Sequence, residues 1–288
     1  MTRYAFILLA ALTPAALLAA DQRVVIRFQA MVGQEKLACG QSYTGIGTTN
    51  SKITPRDFRF YIHNLHLIDE NGKAVPVDLE QDGKWQLDDV ALLDFENGTG
   101  RCVNGTPDMN DRVVGSVPEG HYMGIGFTLG VPFNKNHTEL TSQPSPLNLT
   151  ALSWVWNAGR KFARLDFSST GQPRGYAIHL GSTGCTPNTT KTTIPTQCRA
   201  PNRPEIEFAA FDPSRDVVVA DLAALLKDSD VDGKPQTDMG SGCMSGPTDP
   251  DCAPLFANFG LPFGGKAAGP QTFFRKQTPP IAIEGTDK

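Results

Sequence analysis

Val24-Val25-Ile26-Arg27-Phe28-Gln29-Ala30 sets apolar side chains on alternating faces of an extended chain, the two-residue period of a β-strand. The same extended character returns over 58–68, 90–95, 121–129, 153–162, 164–168, 174–180 and 205–210. Turn-forming runs punctuate these segments: Glu70-Asn71-Gly72, Asn97-Gly98, Asn104-Gly105, Pro118-Glu119-Gly120 and Thr170-Gly171. Short strands at this density predict a mainly β fold, an antiparallel β-sandwich or barrel-like domain with long loops. One helix is expected over 219–227, where Leu222, Leu225 and Leu226 share a stripe behind a cap at Asp212 or Asp221. No repeat or compositional break interrupts 21–264, which reads as a single domain. The Gly-, Pro- and Lys-rich stretch 265–288 reads as a flexible tail.

The first twenty residues open Met1-Thr2-Arg3-Tyr4, run apolar from Ala5 to Leu18 apart from Thr13 and Pro14, and close on Ala19-Ala20. This is the pattern of a secretory signal peptide cleaved after Ala20, and it predicts export. Cleavage removes Arg3 from the 26 basic residues, leaving 25 against 30 acidic ones, a formal charge of −5. That mildly acidic balance argues against nucleic acid or an anionic membrane as partner. Six cysteines in an exported chain imply disulfides, for which 15 pairings are possible. The short intervals favour Cys185 with Cys198 and Cys243 with Cys252, leaving Cys39 with Cys102. Neither the Cys-x2-Cys spacing of zinc sites nor the Cys-x2-Cys-His of c-type haem occurs.

Trp154 and Trp156 are two residues apart in Ser153-Trp154-Val155-Trp156-Asn157, so a regular strand would turn both indoles to one face. They are bracketed by His137, in a loop-type sequence, and His179, near the end of a strand. Neutral imidazole is the commonest metal ligand, although a lone histidine is more often a hydrogen-bonded structural residue. His63 and His66 are three residues apart, which on a regular strand makes them poor joint ligands. His121 reads as a rim residue. Asp228-x-Asp230-x-Asp232-Gly233 resembles the start of a calcium loop, but Met239 occupies the twelfth position, where a bidentate Glu belongs, so a solvated acidic turn is favoured. No Gly-x-Ser-x-Gly elbow supports a hydrolase.

Several ordered pieces carry a resemblance. They are Cys39-Gly40, Asp57-Phe58-Arg59-Phe60-Tyr61, Ala91-Leu92-Leu93-Asp94-Phe95-Glu96 with Gly100 and Cys102, and Leu129-Gly130-Val131-Pro132-Phe133 with Asn136-His137. The series continues through Pro146-Leu147-Asn148, Trp154-x-Trp156 with Lys161-Phe162, His179-Leu180-Gly181-Ser182 with Cys185, and Gly242-Cys243-Met244-Ser245. Together they resemble the MbnP family, found beside methanobactin and other copper-handling operons. The resemblance implies a periplasmic copper-binding protein that handles Cu(I) and is not itself an enzyme. Its implied partner is a dihaem protein of the MbnH type, related to MauG and bacterial cytochrome c peroxidases, which oxidises a tryptophan to kynurenine beside the copper. Carried to matching positions, this makes Trp156, or else Trp154, the modified residue and a metal-site residue, with His137 and His179 as ligands. His63, His66 and His121 fall outside the family pattern. The chain departs from that pattern at Arg160, where the family carries Tyr, and at Ala151, where it carries Met. The competing expectation is an exported carbohydrate- or protein-binding module that uses the two indoles as a stacking platform.

Overall fold

A computed structural model describes residues 20–154, 159–186, 194–235 and 240–279. The expected signal peptide, up to residue 19, lies outside the described residues. Two sheets form a sandwich. The larger is organised on a 19-residue strand, Ser51–Asp69, which pairs antiparallel with Val90–Asp94, Tyr122–Leu129 and Ala163–Ser169. In the smaller, Asp21–Val32 lies between Arg112–Pro118, antiparallel, and Val217–Asp221, parallel, and the latter carries Phe274–Gln277. Both sheets keep open edges, so the sandwich is realised and the barrel is not.

Aromatic side chains from the two inner faces form the core. Phe28 and Phe274 of the smaller sheet meet Phe60 and Phe127 of the larger at centroid distances of 5.2 to 6.3 Å, mostly edge to face. Each buried ring contributes roughly 2 kcal/mol by removal from water, and each favourable ring pair about 1 kcal/mol more. The expected flexible tail over 265–288 is corrected here: Phe273 and Phe274 are buried, and Phe274–Gln277 is an edge strand. Two adjacent phenylalanines outweigh the polar composition around them. Residues 280–288 lie outside the described residues.

The expected helix shortens to Leu222–Leu226 because Val217–Asp221 continues the smaller sheet, and Asp221 caps it by accepting from the Ala223 and Ala224 amides. A second helix, Cys252–Phe259, was not expected from the loop-like composition beyond residue 228. Disulfides join Cys39 to Cys102, Cys185 to Cys198 and Cys243 to Cys252, the pairing favoured from the intervals.

The opposite face of the larger sheet is also buried, and it carries charge. Alternation along the long strand sends Phe58 and Phe60 to the core and Asp57, Arg59 and Tyr61 to this second face, where Tyr61 donates to the Pro146 carbonyl of an overlying loop.

Candidate metal-binding site

His179 sits on Ala177–Leu180, where it pairs with Arg164 of the neighbouring strand. The residue is 8% exposed. Nε2 donates to Asp166 Oδ1 at 2.9 Å, while Nδ1 is buried without a hydrogen-bond partner. Burial raises the Asp166 carboxyl, but the His179 bond and the Arg164 guanidinium outweigh it and hold the pKa down to about 2, so the acceptor stays ionised. A carboxylate on one ring nitrogen fixes the imidazole and directs the other nitrogen outward as a lone-pair donor.

Behind Asp166 runs a string of alternating charges. Arg164 Nε reaches Asp166 at 2.8 Å and Asp57 at 3.2 Å; Asp57 holds Arg59 through both carboxylate oxygens, and Arg59 lies 3.8 Å from Glu96. Lys161, whose pKa burial and then Arg164 depress to about 8, donates to the Ala151 carbonyl at 3.0 Å, and Arg164 donates to the same oxygen. The charged face thus anchors the loop that leads into Trp154.

His137 follows the single helical turn Phe133–Asn136 and is 4% exposed. Its loop is held by Arg160, whose Nη1 donates to the carbonyls of Lys135, Asn136 and Thr138, and whose Nε and Nη2 share the Leu147 carbonyl. Asn136 Oδ1 accepts from the Arg160 amide at 2.8 Å, which turns Asn136 Nδ2 toward His137 Nε2 at 3.0 Å. The sulfurs of the 185–198 bridge flank the same nitrogen: Cys198 Sγ at 3.4 Å and Cys185 Sγ at 3.9 Å.

Trp154 pairs with Gly159 in a two-stranded hairpin, Ser153–Trp154 with Gly159–Arg160. The run 153–162 is therefore not one regular strand, because its two described ends pair with each other; the expectation that both indoles share a face involves Trp156 and lies outside the described residues. Trp156 falls in 155–158, outside the described residues. Trp154 is 4% exposed, so it supplies no exposed stacking surface. Its ring packs on Gly181, where an added Cβ would come within 2.4 Å of Cζ3. The His137 ring lies against Gly159, the partner of Trp154, and Gly181 is two residues beyond His179. Trp154 thus lies between Gly181, two residues beyond His179, and Gly159, which the His137 ring touches.

The sequence profile of the MbnP family matches residues 21–245. The chain belongs to the MbnP family. A solved structure, MbnP from Methylosinus trichosporium, superimposes with a TM-score of 0.78 at 29% identity, covering 90% of this chain and 99% of that one. Comparison with curated proteins finds no significant match. Membership of the MbnP family associates the chain with the methanobactin system.

Within this MbnP fold, the Gly242-Cys243-Met244-Ser245 run has a clear structural use. Gly242 and Cys243 extend the sheet beside Ala177 and Ile178, and Ser245 Oγ accepts from the Gly181 amide while donating to the His179 carbonyl. The backbone on both sides of the His179 ring is thus clamped. The remaining histidines lie elsewhere. A bulge at Asn64, φ 53°, sets His63 opposite Thr128 and His66 opposite Gly126, cancelling the regular-strand argument against them as joint ligands. His63 nonetheless bonds the Gly130 carbonyl and His66 the Asn64 carbonyl, and His121 is exposed. In the calcium-like run, Asp230 accepts from its own turn and Asp232 from Ser51 and Gly171, while Met239 lies outside the described residues. Three positioning groups escaped the sequence reading. Asp166 and Ser245 act on His179, and Arg160, met only as a departure from the family pattern, holds the His137 loop.

Proposed function

We propose that the mature chain is a periplasmic copper-binding protein, exported by its first twenty residues, that receives Cu(I) at His137 and His179. The observation that carries this reading is the His179 imidazole: one nitrogen tied to the Asp166 carboxylate, the other buried and unbonded. Burying such a nitrogen unpaired is unfavourable, and a metal ion satisfies it. Imidazole nitrogens are suitable donors for copper, and a third donor of aromatic-amine type suits the soft Cu(I) ion better than a carboxylate would.

The same reading makes the protein the substrate of a dihaem partner of the MbnH type and gives it no catalytic step of its own. Trp156 is the first choice for conversion to kynurenine and Trp154 the second. Opening the indole five-membered ring, with C2 lost as a one-carbon acid, converts an N–H that only donates into an aryl amine with a lone pair. Trp154 packs against Gly181 and pairs with Gly159, which the His137 ring also touches, and this supports its place as second choice.

Copper titration of the disulfide-intact protein tests the ligands. His179→Ala and His137→Ala should each weaken binding, and unchanged affinity in both would remove the site. Asp166→Asn should lower copper affinity by about 10- to 100-fold through loss of the ring's orientation, measured by chelator competition. Peptide mass spectrometry after co-expression with the dihaem partner tests the modification: a mass change of one oxygen gained and one carbon lost should map to Trp156 or Trp154. Its absence from both would sink that part of the reading.

A further inference from the structure

We propose that Cys185, Cys198 and His137 form a redox-gated Cu(I) site, silent while the cysteines are bridged and opened when a dithiol reductant cleaves the bridge. The inference shares only His137 with the preceding reading and does not rest on His179 or on a modified tryptophan. Cys185 and Cys198 face each other directly across the hairpin of Thr183–Thr186 and Gln197–Ala200. His137, from a distant part of the chain, places Nε2 beside both sulfurs, and the three atoms lie within 4.8 Å of one another.

The nitrogen that faces the sulfurs is the basic one. The Arg160 amide fixes the Asn136 carboxamide so that its NH2 donates to His137 Nε2, which must then carry the lone pair. Cys185 is buried and Cys198 half-buried, so Cys198 gives a reductant and an incoming ion their approach. The other two bridges lack this arrangement. Among the described residues, the group formed by Cys39 and Cys102 is completed by Glu96, a hard oxygen ligand mismatched to soft Cu(I), and Cys243 with Cys252 belongs to no such cluster.

Bridged sulfurs are poor donors, because the metal-binding species is the thiolate. Cleavage breaks the S–S bond with two electrons and two protons, both supplied by the reductant's thiol pair, which closes to its own disulfide. Binding Cu(I) then releases the two protons as the thiols become thiolates. The result is a set of two sulfurs and one imidazole. Thiolate sulfur selects Cu(I) over hard ions, and a three-donor set leaves Zn2+ short of its tetrahedron.

The test uses the mature chain with its disulfides formed, Cu(I) supplied anaerobically as its acetonitrile complex, and a chromophoric Cu(I) chelator as competitor, before and after phosphine reduction. Reduction should tighten the chain's hold on Cu(I) and bring thiolate-to-copper absorption in the ultraviolet that the oxidised protein lacks; because the His137 imidazole has one lone pair, this absorption and not the copper count is the readout. Cys185→Ser/Cys198→Ser, reduced alongside, should gain none, and the difference cancels thiols from the other two bridges. His137→Ala should weaken the Cu(I) held by the reduced chain by about tenfold or more. Alkylation with peptide mapping reports whether the bridge has opened, and circular dichroism whether the fold persists. An equal gain in both proteins, no gain with the bridge open, or a bridge that opens only on unfolding overturns the proposal. If the double variant does not fold, reduced wild type alkylated at Cys198 replaces it and must show no gain. Copper held by the oxidised chain bears on the preceding section and the thiolate absorption gained on reduction bears on this one; His179→Ala should lose the first and keep the second, so either can fail alone.

Discussion

Arg160 and Asp94 show how much of this protein is settled by single buried charges. Arg160 is almost wholly buried and donates to the carbonyls of four residues, Lys135, Asn136, Thr138 and Leu147, sharing the first with the Thr138 hydroxyl. Arg160→Met keeps the volume but strands those oxygens, and should cost on the order of 3 kcal/mol in urea unfolding. Asp94 differs in sign from Asp166. Burial raises its carboxyl to about 7, with Arg59 opposing. An unfolded aspartate loses its proton near about pH 4, so this group stabilises the fold while protonated, and that contribution is lost as pH rises from about 4 to about 7. Asp94→Asn should flatten this part of the stability profile when unfolding midpoints are measured across the range. None of this was legible beforehand: the sequence names the residues, but which charge meets which depends on strand register. His179 was legible as a candidate because imidazole binds metals, whereas its partner Asp166, thirteen residues away, had no local signal.

At the scale of elements, alternation located the strands and failed where a strand is irregular. The long strand was read from 58–68, but the bulge at Asn64 inserts an extra residue and inverts the parity of everything beyond it. The run 153–162 likewise had strand composition, yet Trp154 pairs with Gly159 and the chain folds back on itself. Gly181 makes that hairpin fit, since its missing side chain is the space into which the Trp154 ring packs. Gly181→Ala should displace the indole and destabilise the protein by about 1–3 kcal/mol. Near-ultraviolet circular dichroism should change with it; an unaltered tryptophan signal would mean that the ring is not seated there. The short hairpin carrying Cys185 and Cys198 was signalled only by its cysteines, because its segments are too short and polar for a periodic pattern.

For the whole molecule, sandwich stability depends on rings from segments far apart in sequence. Phe274 touches Phe60 and Phe127 across the inter-sheet core, so Phe274→Ala should cost about 3–5 kcal/mol in chemical denaturation, a large effect for a strand near the end of the described chain. The sequence by itself determined the class of fold, because alternating apolar residues and frequent turns are local properties of the chain. It also pointed to the family, through an ordered set of motifs, and favoured one pairing of the disulfides among fifteen, which the structure then supplied. Only the tertiary structure decided which face of the larger sheet carries charge, that Asp166 and Ser245 hold His179, and that Arg160 holds the His137 loop. It alone brought the 185–198 bridge against His137. The physical reason is that a hydrogen bond or an ion pair requires contact within a few ångströms, and residues tens of positions apart reach that distance only after register, bulges and loop packing are fixed.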